Sequence, residues 1–267
     1  MQNPNVAESF WQVLYSQNKE KMMTFNKLLT GAALIATFAT SAVAENKTIR
    51  MGTEGAYAPY NFVNDSGEVD GFEKDVGDEL CKRANLTCTW VVNEWDTIIP
   101  NLISSNYDTI IAGMSITDER DEVIDFTAEY FPADPSTYVA LAGASDDAIN
   151  GIVAAQTSTI QAAHVAGTSA TVVEFATPEE TVAAVRNGEA DAVLADAAYL
   201  SDIVKASNGA LAFVGKPVAI GGGIGMGIRE SDGELKATMN KAIASMKADG
   251  SLAKLIAKWF VGRSVEY

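Results

Sequence analysis

The chain has 267 residues, 48% of them hydrophobic, with a formal net charge of -16 and a pI near 4.4. A surface this acidic repels nucleic-acid phosphates, which need basic partners, so no nucleic-acid partner is expected. The length and apolar share suit one large domain or two smaller lobes with buried cores.

Thr24 to Ala44 has the layout of a secretory signal, with Lys27 at the basic end, an apolar run from Leu28 to Phe38, and Ala42-Val43-Ala44 as a small-residue cleavage site. The apolar run is about 11 residues, well short of the roughly 20 that cross a bilayer. Met23 is then the expected start, Met1 to Met22 an upstream extension, and the exported mature protein is expected to begin near Glu45. Thr48 to Met51 reads as a first strand, followed by a turn-rich stretch from Gly52 to Pro59. Phe72, Val76, Leu80 and Cys81 share one face of a helix over Phe72 to Ala84. Thr87 to Val92 is a strand, Thr97 to Ser105 a helix, and Asp108 to Ala112 a strand.

A second series begins after Gly151. Ile152 to Ala155, Val172 to Phe175 and Asp191 to Leu194 read as strands. Ser158 to Val165, Pro178 to Arg186 and Ala197 to Lys205 read as helices, with Pro178 in the first turn of its own. Two alternating series imply an α/β fold of two lobes with mainly parallel sheets. Phe131 to Tyr138, with Pro132 and Pro135, reads as one extended crossing between lobes, and Ile220 to Ile228 as the second. Two further helices, Ser231 to Ala248 and Ser251 to Phe260, return to the first lobe. This division puts 1–44 in the extension and signal, 45–133 and 223–267 in lobe 1, and 134–222 in lobe 2.

Cys81 and Cys88 are the only cysteines, and export makes a disulfide between them the expected outcome. A loop that short stabilises by roughly 2–3 kcal/mol on the chain-entropy model. With a single histidine, His164, the two thiols cannot complete a zinc site, so no metal is expected. The glycines from Gly221 to Gly227 lack the G-x-G-x-x-G spacing of a dinucleotide loop, and no cofactor is expected. No serine lies in G-x-S-x-G, and no nucleophile arrangement is visible, so the chain is not expected to be an enzyme.

The order of several segments carries a family resemblance. Gly52-Thr-Glu-Gly-Ala-Tyr-Ala-Pro-Tyr-Asn-Phe62, Gly71-Phe72 with Asp75, and Trp95-Asp-Thr-Ile-Ile-Pro-Asn-Leu102 come first. Met114-Ser-Ile-Thr-Asp-Glu-Arg120, Asp125-Phe-Thr127, Asp191 to Asp196 and the final Met246 to Gly250 with Trp259-Phe260 follow. From Thr48 to Phe260 the chain resembles the periplasmic polar amino-acid binding proteins of ABC importers, solute-binding protein family 3. Within that family it is most similar to the lysine/arginine/ornithine, histidine and opine binders. The resemblance implies a type II binding-protein fold, with two lobes joined by crossover strands that act as a hinge. It also implies a monomer that delivers its amino acid to a membrane permease.

Carried over by position, Arg120 is expected to clamp the ligand carboxylate, its planar donors matching a carboxylate two at a time. Asp196 is expected to accept the α-ammonium, with Ser115 and the Gly113 carbonyl beside it. Ser158 and Thr159 open a helix whose free N–H groups suit a carboxylate. Tyr57 and Trp95 are expected to sandwich the side-chain stem, and Glu54 to face a distal cation. The chain departs from the family pattern at Ala112-Gly113, where two serines are usual, and at Thr157, where glycine is usual. A periplasmic enzyme on the same fold, such as a cyclohexadienyl dehydratase, is the alternative reading.

Overall fold

The computed structural model describes residues 48–267. The signal-like segment and the upstream extension lie outside the described residues. Those described form thirteen strands and eight α-helices. The first series comprises β1 (Thr48–Thr53), β2 (Ala56–Tyr57), β3 (Asn61–Val63), β4 (Val69–Asp70), α1 (Phe72–Ala84) and β5 (Thr87–Val92). It continues with α2 (Ile98–Ile103), β6 (Thr109–Ile110), α3 (Asp118–Asp121) and β7 (Asp125–Phe126). Next come β8 (Ser136–Leu141), β9 (Ile152–Gln156), α4 (Ile160–Ala166), β10 (Thr171–Phe175), α5 (Pro178–Asn187) and β11 (Ala192–Asp196). The chain ends with α6 (Ala197–Ala206), β12 (Leu211–Val218), β13 (Gly227–Ile228), α7 (Gly233–Ala248) and α8 (Ser251–Trp259).

Two five-stranded sheets repeat one plan. The first runs β5-β1-β6-β13-β7 and the second β10-β9-β11-β8-β12. In each, three parallel strands stand in the order second, first, third. An antiparallel strand follows, β13 in one sheet and β8 in the other, and each is the first strand after a crossing between sheets. Central parallel strands need cover on both faces, and β9 and β11 run apolar up to their last residues, Gln156 and Asp196, rather than alternating. In β11, Val193 packs with Val182, Val185 and Leu200, while Ala192 and Leu194 point the other way, toward Tyr138, Val165 and Val214. In the first sheet Met51 joins Phe72, Leu80, Met239 and Met246, and Ile110 joins Leu102, Tyr107 and Ile124 on the opposite side.

Local chemistry sets the helix ends. In α1, Asp75 lies in the first turn and Lys82 and Arg83 in the last, matching the helix dipole, and Asn85 closes it at φ 54. Gly71 enters this helix at φ 117, and a Cβ there would lie 2.6 Å from the Tyr60 carbonyl oxygen. Only glycine fits. Thr177 and Glu180 form a reciprocal capping box at α5, with Pro178 just inside it. Cys81 on α1 is disulfide-bonded to Cys88 on β5, as expected.

The helix and strand expectations hold for α1 and β5 and, to within two residues at each end, for β1, β9, β10, β11 and α5 to α8; a few others differ for local reasons. The helix expected over Thr97 to Ser105 is a 3-10 turn, Trp95–Thr97, followed by α2. The helix expected from Ser158 begins at Ile160, because Ser158 is left-handed at φ 56 and Thr159 is the cap. The strand expected at Asp108 to Ala112 contracts to β6. Of the second crossing only Gly227–Ile228 pairs as a strand, with Ile224 bridging to Ser115 and Phe131. The first crossing runs into β8. The small β2-β3-β4 sheet was not foreseen, its strands being two or three residues long.

Candidate functional site

The loops that follow the carboxyl ends of the parallel strands converge on one cleft, the usual place for ligands in open α/β sheets. β1 leads to Glu54 and Tyr57, β5 to Trp95, and β6 to Gly113, Ser115 and Arg120. From the second sheet, β9 leads to Thr159 and β11 ends in Asp196. All eight of these residues line the cleft, together with Ala112, Gln156, Ile160 and Gln161. Ser158 does not line it with them.

Arg120 sits in the short helix α3, whose cap Thr117 accepts the Arg120 amide. Its Nη1 donates to the Ser115 carbonyl at 2.8 Å and its Nη2 to the Ser158 carbonyl at 3.4 Å. The guanidinium carbon lies 5.4 Å from the centre of the Trp95 ring, a cation–π distance. Burial lowers its pKa to about 10 against the pull of Asp196 and Glu119, so it stays cationic at neutral pH. The guanidinium keeps further N–H donors for an incoming carboxylate.

Asp196 occupies the N-cap position of α6 but makes no capping hydrogen bond with its side chain. Its carboxylate turns into the cleft instead. The Tyr57 hydroxyl donates to Oδ2 at 2.8 Å, and Gln161 Nε2 donates to Oδ1 at 3.1 Å while also reaching the Ser136 hydroxyl at 3.0 Å. Burial pushes the carboxyl up to about 6, and the negative charge of Asp134 adds to this, while Tyr57, Arg120 and Gln161 oppose it. The Tyr57 ring stacks on Tyr199 with centroids 4.4 Å apart and lies 5.7 Å from Tyr60. Tyr57 therefore already has a ring partner besides the one expected in Trp95.

Glu54 is only 8% exposed, which excludes a solvated turn acid. Gln156 Nε2 donates to its Oε1 at 2.5 Å across the cleft. Burial pushes the Glu54 carboxyl up to about 7, opposed by the Gln156 hydrogen bond and reinforced by Glu73.

The helix-opening pair behaves differently from expectation. Thr159 caps α4 by accepting the Ala162 amide at 3.1 Å and donates to the Gln156 carbonyl at 2.6 Å, while still lining the cleft. Ser158 contributes its backbone, not its side chain. Its left-handed conformation presents a carbonyl that accepts from both Trp95 Nε1 and Arg120, each at 3.4 Å. The two departures from the family pattern have a local account. Gly113 has φ 63, which suits glycine, and the left-handed residue in the second loop is Ser158 rather than Thr157.

The sequence reading missed Gln156, Ile160 and Gln161. Gln156 ends β9 as Asp196 ends β11, and a strand read one residue longer would have placed it at the sheet's edge. Gln161 and Ile160 lie in the first turn of α4, and a start placed two residues too early hid their direction.

Known proteins match most of the chain. Residues 49–262 match the model of the bacterial extracellular solute-binding proteins, family 3. The lysine/arginine/ornithine-binding periplasmic protein of Escherichia coli is 34% identical over 242 residues, covering 85% of this chain and 92% of that protein. A periplasmic His/Glu/Gln/Arg/opine family-binding protein from Silicibacter pomeroyi, solved in complex with lysine, is 67% identical. It covers 82% of this chain and 100% of its own, with a TM-score of 0.79. An ancestral amino acid-binding protein described as a precursor of cyclohexadienyl dehydratase is 29% identical, covers 80% of this chain and 95% of its own, and gives a TM-score of 0.71. With most of its length matched, this chain belongs to the bacterial extracellular solute-binding proteins, family 3.

Proposed function

We propose that the chain is the periplasmic substrate-binding component of an ABC importer, taking a basic amino acid (arginine, lysine, ornithine or histidine) or an opine. One observation carries this reading. Arg120 from the first sheet and Asp196 from the second, of opposite charge, line one cleft that also holds the buried carboxyl of Glu54. A free amino acid presents a carboxylate and an ammonium to such a pair, and a basic one adds a second cation for Glu54. The lysine in the Silicibacter pomeroyi structure and the ligands in the name of the Escherichia coli protein support the basic class.

In this reading the lobes are 45–133 with 223–267, and 134–222, and they close over the ligand as a hinge. Hinge closure around a ligand is the general behaviour of periplasmic binding proteins. The bridges from Ile224 to Ser115 and Phe131 support a boundary near residue 223. The mature chain would follow a signal cleaved near Ala44, work as a monomer, and hand its cargo to the permease without chemistry.

The enzyme reading is favoured by one feature. A carboxyl held near 7, as Glu54 is, is poised to donate a proton. Asp196 argues for capture instead, because prephenate has no ammonium to meet it. A thermal-shift screen against the common amino acids, opines and prephenate tests both. Ligand at a thousandfold excess over Kd stabilises by about 4 kcal/mol, so a binder stands out. Stabilisation by basic amino acids or opines alone supports the proposal, and turnover of prephenate would overturn it.

A further inference from the structure

Glu73 lies outside the cleft, one residue into α1, yet it is fully buried. Three donors converge on its carboxylate. The Gly113 amide donates to Oε1 at 2.6 Å, the Tyr130 hydroxyl donates to the same oxygen, and Asn61 Nδ2 donates to Oε2 at 2.6 Å. Asn61 and Tyr130 are themselves fully buried. With its own side-chain oxygen Asn61 accepts the Gly55 amide at 2.7 Å. No cation is among these partners, so neutral donors alone hold the buried carboxyl. Burial raises its pKa, and the hydrogen bonds from Tyr130, Gly113 and Asn61 oppose that.

A buried carboxyl is a costly way to fill space, since an apolar residue of similar volume needs no desolvation. What it supplies is acceptors for loop amides. Gly113 sits in the loop after β6, at φ 63, and lines the cleft two residues before Ser115. Gly55 sits in the loop after β1, between the cleft residues Glu54 and Tyr57. One carboxylate thus anchors two of the three loops of the first sheet that carry cleft residues, one directly and one through Asn61.

We infer that Glu73 is a positioning residue for the binding cleft, setting the loops after β1 and β6 by fixing Gly113 directly and Gly55 through Asn61. The ligand arm of this inference rests on the proposed function. Glu73→Gln replaces one acceptor oxygen by an amide nitrogen that faces the Asn61 amide, donor against donor. Adding Asn61→Asp to the same chain reverses the order of carboxylate and amide, so each donor meets an acceptor again and the net charge is unchanged.

The experiment measures amide hydrogen exchange at Gly55 and Gly113 without ligand, and calorimetric affinity for arginine and lysine, in wild type, the single variant and the double. The single variant should exchange about tenfold faster at both glycines while Leu80 on α1 is unchanged, and should bind about ten- to a hundredfold more weakly. The double should return both readings to within about threefold of wild type. Wild-type exchange at both glycines in the single variant overturns the inference. So does a uniform rise that includes Leu80, or a double variant that fails to regain binding. Should the single variant not fold, the double must fold and bind like wild type, and its failure overturns the inference equally. A wild type that binds neither arginine nor lysine would remove those two from the proposed ligands, and the exchange readings would still decide the role of Glu73.

Discussion

The Tyr57 hydroxyl and Asp196, 139 residues apart in sequence, hold each other by two hydrogen bonds: the hydroxyl donates to Oδ2 at 2.8 Å, and the Asp196 amide donates back to the hydroxyl at 3.1 Å. The pair joins β2, in the small sheet, to the end of β11 in the second five-stranded sheet. It also occupies the carboxylate that the ligand ammonium is proposed to meet.

Tyr57 is therefore expected to act as a stand-in for the ammonium. Asp196→Asn should cost about 2–5 kcal/mol of binding, because it removes one partner of a buried charge pair. Tyr57→Phe keeps the ring stacked on Tyr199 and frees the carboxylate, so affinity should change less than about fivefold, or about 1 kcal/mol. Calorimetric titration of both variants checks this. A Tyr57→Phe loss as large as that of Asp196→Asn would show that the hydroxyl is a ligand contact.

Arg120 is the proposed carboxylate clamp, and Arg120→Ala should weaken binding by about 2–5 kcal/mol. Its side-chain hydrogen bonds go to the backbone carbonyls of Ser115 and Ser158, and its guanidinium lies over Trp95 at the cleft, so the ligand-free protein should keep its fold. Circular dichroism and titration of the variant separate these outcomes. A loss under about fivefold, roughly 1 kcal/mol, would assign the clamp elsewhere.

The buried carboxyls make binding and stability depend on pH. Glu54 is raised to about 7 from 4.5, and Asp196 to about 6 from 3.8, burial being the largest cause for each. A carboxyl raised by folding stabilises most below its unfolded pKa, and that contribution is lost as pH rises through the folded one. For these two groups the ligand-free protein should lose stability between about pH 4 and 7. A cationic ligand favours the ionised carboxylates, so binding should strengthen over the same rise and expel protons. Calorimetry of arginine binding at pH 6.5, in two buffers of different ionisation heat, should show release of about half to one proton. Proton uptake, or none, would contradict the assignment of Glu54.

Much of this was legible in the sequence, and the boundary between what was and what was not is physical. Helix α1 and strand β5 could be read to the residue, because helical apolar spacing and a β-branched run dictate them locally. Arg120, Asp196, Glu54 and Trp95 were named by the family resemblance, position by position, and all four line one cleft. The partner of Asp196 could not be found, since nothing local ties Tyr57 to a residue 139 positions away. Ser158 was misread as a helix opener because its left-handed backbone has no glycine to announce it. Glu73 was hidden among charged residues of a helix whose pattern is otherwise amphipathic, and its partners Asn61, Gly113 and Tyr130 all come from outside that helix.

The central claim is that this cleft selects a basic amino acid through Glu54. A neutral ligand of similar length, such as glutamine, leaves the Glu54 carboxyl buried without a cation, a penalty as well as a lost attraction. Competitive calorimetry of arginine, lysine and glutamine on wild type and Glu54→Gln at one pH above 7 tests this most directly. The account predicts that arginine or lysine binds at least tenfold tighter than glutamine, and that Glu54→Gln narrows the gap by about 1–3 kcal/mol. Tighter binding of glutamine or of an acidic amino acid by the wild type, or an unchanged ranking in Glu54→Gln, would contradict it.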